Sequence, residues 1–575
     1  MSSPVPYQSV DPVGRPVVGT AAPGQNRAAQ IVVGSALVVP ALIALLWSYV
    51  LPTAATLNRS FQNTDLMRPA EQVGGDNYRQ LLDNGFLGSV GFALLLGLLP
   101  LLCAVLVAPA LAALADRAGP AARLTTRALL AVPIAAYAPV AVLLGWRVHR
   151  IDLVDLTQDP RGTLVQLVAA SSFGLAVAVA ATLFLSALRG RTPGRGATGA
   201  MLTVGAVITF GILALTLQTF TAPQLITGGG PRRSTATPLL DVVTNSLARL
   251  EVGLGSAGSI LLLVPIALLG LATVGLLLVT RTRIEFDGWR RPTDDRGRAG
   301  VPGLTDDRER TNDQGRAGGP AGRALPGFLV AFALLGFVVA VGWALAPWLR
   351  HAFDLSPELP GGASATTALS HTWLPPLIST IMSLWLAVAA GFGIGALRPL
   401  GRWSELLLLP FAPWLFVGTG PLAVDGFVRA RDAGQLDSFL GLIPPGWVSI
   451  PALVVFTLFF RAQGARWRAG AGFGRTLILP TLPMVFLAGL LMWLVSSQQV
   501  LWAQLVAIRP AGMPAPLLAQ VLAVQRGQLD GGDLGLGLLL PLPLLLLFLV
   551  AFVALQIGYL DRLAIRVGRT EDGHE

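Results

Sequence analysis

Two clusters of uncharged polar side chains interrupt otherwise apolar sequence: Thr216, Gln218, Thr219 and Gln224, then Ser496, Ser497, Gln498, Gln499 and Gln504. Such groups donate and accept hydrogen bonds but neither titrate near neutrality nor act readily as nucleophiles. The chemistry they offer is recognition of a neutral, hydroxyl-bearing solute along a pathway. Trp493 and Trp502 flank the second cluster and present faces on which a sugar ring stacks. The ordinary alternative is that these residues simply sit at a membrane interface, where such side chains are common.

Residues for covalent or metal chemistry are sparse. His149, His351, His371 and His574 fall in loops or at edges, without the spacing of metal ligands. Cys103 is the single cysteine and lies inside an apolar run, so no internal disulfide is possible. All 41 basic residues are arginine. A P-loop, whose lysine reaches the phosphates, is therefore absent in its usual form. Any ATP-driven work needs a separate ATPase subunit, and this chain is expected to hold no cofactor and to be no enzyme. A proton-coupled carrier needs an ionisable group inside the membrane. Glu405, Asp425 and Asp533 stand only at the ends of apolar runs.

The elements that must position the clusters follow from composition. Of 575 residues, 53% are hydrophobic and 13% charged, with a mean hydropathy of +0.65. A soluble domain carries about 25% charged residues. Apolar runs of roughly 20 residues, the length of a membrane-crossing helix, recur along the chain. They do not alternate as barrel strands do, and backbone groups in hydrocarbon must satisfy one another. An all-α polytopic membrane protein of about twelve transmembrane helices is expected.

Six runs lie near 28–52, 86–115, 128–146, 163–188, 198–220 and 256–280. Six more lie near 326–349, 373–397, 405–424, 438–460, 476–500 and 534–560. The Arg-, Asp-, Gly- and Pro-rich stretch 281–324 reads as a flexible cytoplasmic linker. The expected organisation is a cytoplasmic tail over 1–27, a six-helix module over 28–280, the linker, a second module over 325–560 and a cytoplasmic tail over 561–575. The polar N-terminal stretch is too long for a signal peptide, so the first helix is expected to stay uncleaved. Arginines concentrate on the side of both termini, which places N- and C-termini in the cytoplasm. The net charge of +10 then reflects topology, and no nucleic-acid partner is expected.

Several segments carry a resemblance. Asn58–Leu66 and then Val73-Gly74-Gly75-Asp76-Asn77-Tyr78 follow the first run. Thr227-Gly228-Gly229-Gly230-Pro231, with Ser234–Leu239, follows the fifth. Ala396–Arg402 and Leu436–Ile443 lie in the second half. Together they resemble the maltose-type sugar permeases of binding-protein-dependent ABC importers, with two permeases fused in one chain. The resemblance implies a multi-pass protein of the bacterial inner membrane that imports a sugar or related polyol. It also implies an ABC ATPase partner, expected as a dimer that binds ATP, an extracytoplasmic solute-binding protein, and surrounding membrane lipid. Thr227–Pro231 would be a periplasmic turn.

The family's ATPase-coupling loop carries Glu-Ala-Ala, a later Gly and a closing Leu-Pro. Here Leu479-Pro480 fits the closing pair, which puts Arg461-Ala462-Gln463 at the Glu-Ala-Ala positions and Trp467 at the Gly. The first-half equivalent, Arg189–Arg195, keeps no recognisable motif. A basic residue in place of an acidic docking contact is unfavourable unless the partner has changed as well. A rival resemblance rests on Asp116-Arg117-Ala118-Gly119, similar to the Asp-Arg-x-Gly loop of major facilitator carriers. A third expectation is a degenerate permease with a structural or regulatory role.

Overall fold

Helices dominate because the apolar runs have no other way to pair their backbone groups. Several begin where a side chain takes an orphan amide: Asp159 accepts from Gly162 N–H at 2.9 Å, and Ser364 from Thr367 N–H at 3.1 Å. Proline occupies the first turn of some, the Asp159-capped helix included, where its missing N–H costs nothing. A computed structural model of the chain describes residues 27–63, 71–150, 158–191, 196–288, 320–355, 359–470, 472–525 and 534–568.

The principal helices are α1 (Arg27–Ser60), α2 (Phe86–Ala118), α3 (Pro120–Ala135), α4 (Pro139–Arg150), α5 (Pro160–Arg189), α6 (Thr198–Ile226) and α7 (Val252–Val279). After the linker come α8 (Ala324–Leu349), α9 (Ala365–Leu397), α10 (Ile450–Arg468), α11 (Gly474–Ser497) and α12 (Leu542–Arg562). The protein is an all-α polytopic membrane protein. Among the described residues, nine helices are long and apolar enough to span a bilayer, or ten if α3 and α4, bent by 76°, count as one span.

The expected number of about twelve is therefore too high. The run near 405–424 is a 3-10 helix, Gly401–Trp414, broken before the short helix Ala423–Asp432. Pro410, Pro413 and Pro421 remove the amides a longer helix needs. The run near 438–460 starts late, at Ile450, because Pro444, Pro445 and Gly446 hold the preceding segment open. Its last turns carry Arg461, Arg466 and Arg468.

Packing between the two halves is reciprocal. Helix α1 packs on α9, and α8 packs on the end of α2. Helix α7 lies along Gly401–Trp414, and α12 lies along α3. Each half thus lends its first and last helices to the other. Among the described residues, four short strands complete the fold. Strands β1 (Gln62–Asn63) and β2 (Glu71–Gln72) form a hairpin. Strands β3 (Arg283–Phe286) and β4 (Leu563–Arg566) pair antiparallel, with Arg283 opposite Arg566 and Phe286 opposite Leu563.

Composition placed β3 in the linker and β4 in the C-terminal tail; both are instead ordered parts of the bundle. Strand β3 packs on α10 of the second half, and β4 packs on α5 of the first. The face bearing this pair is called the strand face below. The opposite face carries the Thr227–Pro231 turn and is called the turn face.

Candidate functional site

The first polar cluster stands at the turn-face end of α6. Thr216 is buried and donates to the Ile212 carbonyl of its own helix at 2.7 Å. It packs where Gly97 of α2 has no side chain. Gln218 reaches across to the second half: its Nε2 donates to the Phe416 carbonyl at 2.8 Å, and its Oε1 accepts from the Gly418 amide at 2.8 Å. The Thr219 carbonyl accepts from Thr237 at 2.6 Å.

The second cluster meets the same segment from the other side. Gln499 is exposed, and its Oε1 accepts from Thr419 at 3.4 Å. Ser496, Ser497 and Gln499 line one small pocket with His371 and Trp502. Gln498 is buried; its Nε2 donates to the Leu539 carbonyl at 3.1 Å. Phe416–Thr419 thus meets Gln218 of one half through its backbone and Gln499 of the other through the Thr419 hydroxyl, so the two clusters converge on a single segment.

The tryptophans part company. Trp493 packs edge-on to Trp373 at 5.5 Å and donates its indole N–H to the Trp373 carbonyl at 2.8 Å. It is a packing residue, not a free stacking face. Trp502 borders the Ser496–Gln499 pocket and also a larger cavity of about 930 Å³ between α1, α9 and Gly418–Trp447.

The turn Thr227–Pro231 closes on itself. Gly228 and Gly229 both adopt positive φ, 57° and 85°, which a Cβ would strain. Thr227 and Thr235 hydroxyls meet at 2.7 Å, and Thr235 donates to the Gly230 carbonyl at 2.9 Å. Arg161 Nε, at the start of α5, donates to the Ser234 carbonyl at 2.6 Å.

Arg461, Ala462, Gln463 and Trp467 lie on helix α10 rather than in a loop. Arg461 is ion-paired with Glu405 at 2.7 Å. Ala462 and Gln463 are buried. The Gln463 amide, oriented to match its neighbours, accepts from the Phe286 amide at 2.9 Å and donates to the Thr476 carbonyl at 3.2 Å. Trp467 packs edge-on to Phe473 at 5.5 Å. Leu479 is exposed, whereas Pro480 is buried and its carbonyl accepts from Tyr559 at 2.6 Å.

What covers Gln463 is β3. Arg466 donates to the Phe286 carbonyl at 2.6 Å, and Glu285 takes Arg283 at 2.6 Å and Arg566 at 3.1 Å. On the other side, Asp561 gathers Arg123 at 2.8 Å, Arg127 at 3.3 Å and Arg189 at 3.1 Å. These strand-face residues escaped the sequence reading. Four-residue strands are too short for a periodic signal; the available clue was the apolar–charged alternation Arg283-Ile284-Glu285-Phe286 after the first module's last helix, which Leu563–Arg566 does not repeat.

No protein-family model matches this chain, and no curated protein matches it.

Proposed function

We propose that this protein is the membrane component of an ABC importer for a neutral polyhydroxylated solute, of the maltose-type permease class, with two permease modules in one chain. The observation that carries the proposal is the reciprocal packing. The first helix of each half crosses to the second helix of the other, and the last to the third element, as two equivalent modules around a pseudo-twofold axis require. The meeting of Gln218 and Gln499 at Phe416–Thr419 supports a hydrogen-bonding pathway near that axis. ATP would be bound by a separate ATPase dimer, and solute delivered by an extracytoplasmic binding protein, across the bacterial inner membrane with both termini cytoplasmic.

A second reading is a permease that has lost ATP coupling and serves as a structural or regulatory partner. It is favoured by one observation: Gln463 is spent on β3 of the same chain. Affinity purification in mild detergent with mass spectrometry and an ATPase assay separates the two. A stoichiometric ATPase, with activity lost on substitution of Arg461 or Leu479, supports the importer. A chain that purifies alone without ATP hydrolysis overturns it in favour of the second reading.

A further inference from the structure

At the turn-face ends of α4 and α8, two imidazoles from different halves converge. His149 and His351 stand 202 residues apart in the chain, yet their Nε2 atoms lie 2.6 Å apart, with the rings within 13° of parallel. Packed backbone holds them there. One turn before His149, Gly145 lets α4 come so close to α8 that a Cβ would meet the Trp348 amide nitrogen at 2.8 Å. Trp146 donates its indole N–H to the Ala344 carbonyl at 2.8 Å and packs edge-on to Trp343. On the α8 side, the His351 amide donates to the Trp348 carbonyl at 2.9 Å, and the Asp354 amide to the His351 carbonyl at 3.1 Å. Both histidines therefore start from fixed positions.

Asp354 sets the tautomer. Its Oδ2 lies 2.7 Å from His351 Nδ1. A carboxylate accepts, so Nδ1 carries the proton, and the neutral ring turns the lone pair of Nε2 toward His149. The hydrogen bond between the rings then uses the Nε2 proton of His149. A metal ion in that proton's place would take lone pairs from both rings. Moving the His149 proton from Nε2 to Nδ1 frees the second lone pair without changing the charge of the pair. A histidine whose other nitrogen donates to a carboxylate is the usual arrangement around a bound metal, because the carboxylate orients the ring and raises its basicity.

The geometry needs little change. Bonds of 2.0–2.1 Å at a tetrahedral angle place two ligand nitrogens about 3.3 Å apart, so the rings must part by about 0.7 Å. His149 is exposed, so an ion reaches the pair from water. The nearby Arg147 is engaged by the Leu225 carbonyl at 3.0 Å. Among the described residues, no group of three His, Cys, Asp or Glu forms a fuller ligand set, so water completes the coordination. Imidazole suits zinc, copper and nickel, whereas magnesium and calcium take oxygen ligands.

We infer that His149 and His351 bind a divalent transition ion of the imidazole-preferring class, with Asp354 as the positioning residue, and that the ion joins α4 to α8 across the two halves. The related junction, Arg59 to Asp425 at 2.6 Å, needs no ion because the chain supplies both charges.

The test uses the full-length protein in detergent, without a polyhistidine tag and stripped with a chelator. Zinc chloride is expected to raise the melting temperature saturably, and magnesium chloride is not. His149→Gln and His351→Gln should each abolish the zinc response, His371→Gln should keep it, and Asp354→Asn should weaken zinc binding about tenfold. Copper(II) added to the wild type should show two nitrogen ligands by electron paramagnetic resonance, a readout that stands if a variant does not fold. No saturable zinc response in the wild type leaves a hydrogen-bonded histidine pair only and overturns the inference. An equal response in His149→Gln and His351→Gln, or a copper spectrum without two nitrogens, overturns it as well.

Discussion

Arg59 and Asp425 meet at 2.6 Å although 366 residues separate them, joining the end of α1 to the broken segment of the second half. The related junction, between α8 and α4, is made by His149 and His351, whose rings stack at 4.9 Å. One architecture thus presents a carboxylate–guanidinium pair on one side and an imidazole pair on the other. The pairing explains why Asp425 tolerates burial: a carboxylate is kept from water only with charged partners.

Removing one member of this pair leaves the rest uncompensated. Asp425→Asn is expected to destabilise the protein by about 3 kcal/mol, within the range for breaking buried ion pairs. Arg59→Gln should cost less, since Arg59 keeps 22% exposure and Arg429 remains. Thermal unfolding in detergent of both single variants and the double variant should show clear non-additivity.

The β3–β4 pair should be demonstrable as a covalent bridge between the halves. Ile284 and Ile565 are directly opposed. In a Cys103→Ser background, Ile284→Cys with Ile565→Cys should oxidise readily, as directly opposed strand residues lie about 5 Å apart. With a protease site introduced between residues 289 and 319, the cleaved halves should then stay joined on non-reducing gels and separate on reduction. Ile284→Cys with Leu563→Cys, out of register, should link poorly.

Gly190, at the end of α5, marks a close approach of backbone to backbone. A Cβ there would fall 2.1 Å from the Ile565 carbonyl oxygen of β4. Gly190→Ala should therefore lower stability by about 1–3 kcal/mol, the usual cost of overpacking. Gly199→Ala meets nothing within 4 Å and should be neutral or mildly stabilising in the same melting assay.

Gln218 and Gln499 should behave differently. Gln218→Leu strips partners from the Phe416 carbonyl and the Gly418 amide, which is expected to cost about 1–3 kcal/mol. Gln499 is exposed and makes one long hydrogen bond, so Gln499→Leu should leave the melting temperature unchanged. In vesicles with the cognate solute, Gln498→Leu with Gln499→Leu should reduce uptake; unchanged uptake would remove these residues from the pathway.

The long apolar runs were legible from sequence alone because each helix satisfies its own backbone in lipid, and span length follows from bilayer thickness. Runs such as 86–115 and 256–280 appear as α2 and α7 with modest shifts at their ends. The rule weakened where prolines accumulate, at 405–424, since hydropathy sums apolar residues without asking whether their amides are available. It was silent on which helices touch. Nothing local to α1 says that it packs on α9, nor does Glu285 announce Arg566 or Arg466 as its partners.

Those choices are made by tertiary structure. A charge such as Arg127 can be buried only when another part of the chain supplies the opposite charge, here Asp561, and that part lies hundreds of residues away. The sequence by itself determined that this chain lives in a membrane as a bundle of helices, because that follows from local chemistry. Which residues face one another, which polar clusters share a segment, and that Gln463 is covered by the chain's own strand were decided only by the fold, because each depends on contacts between distant segments.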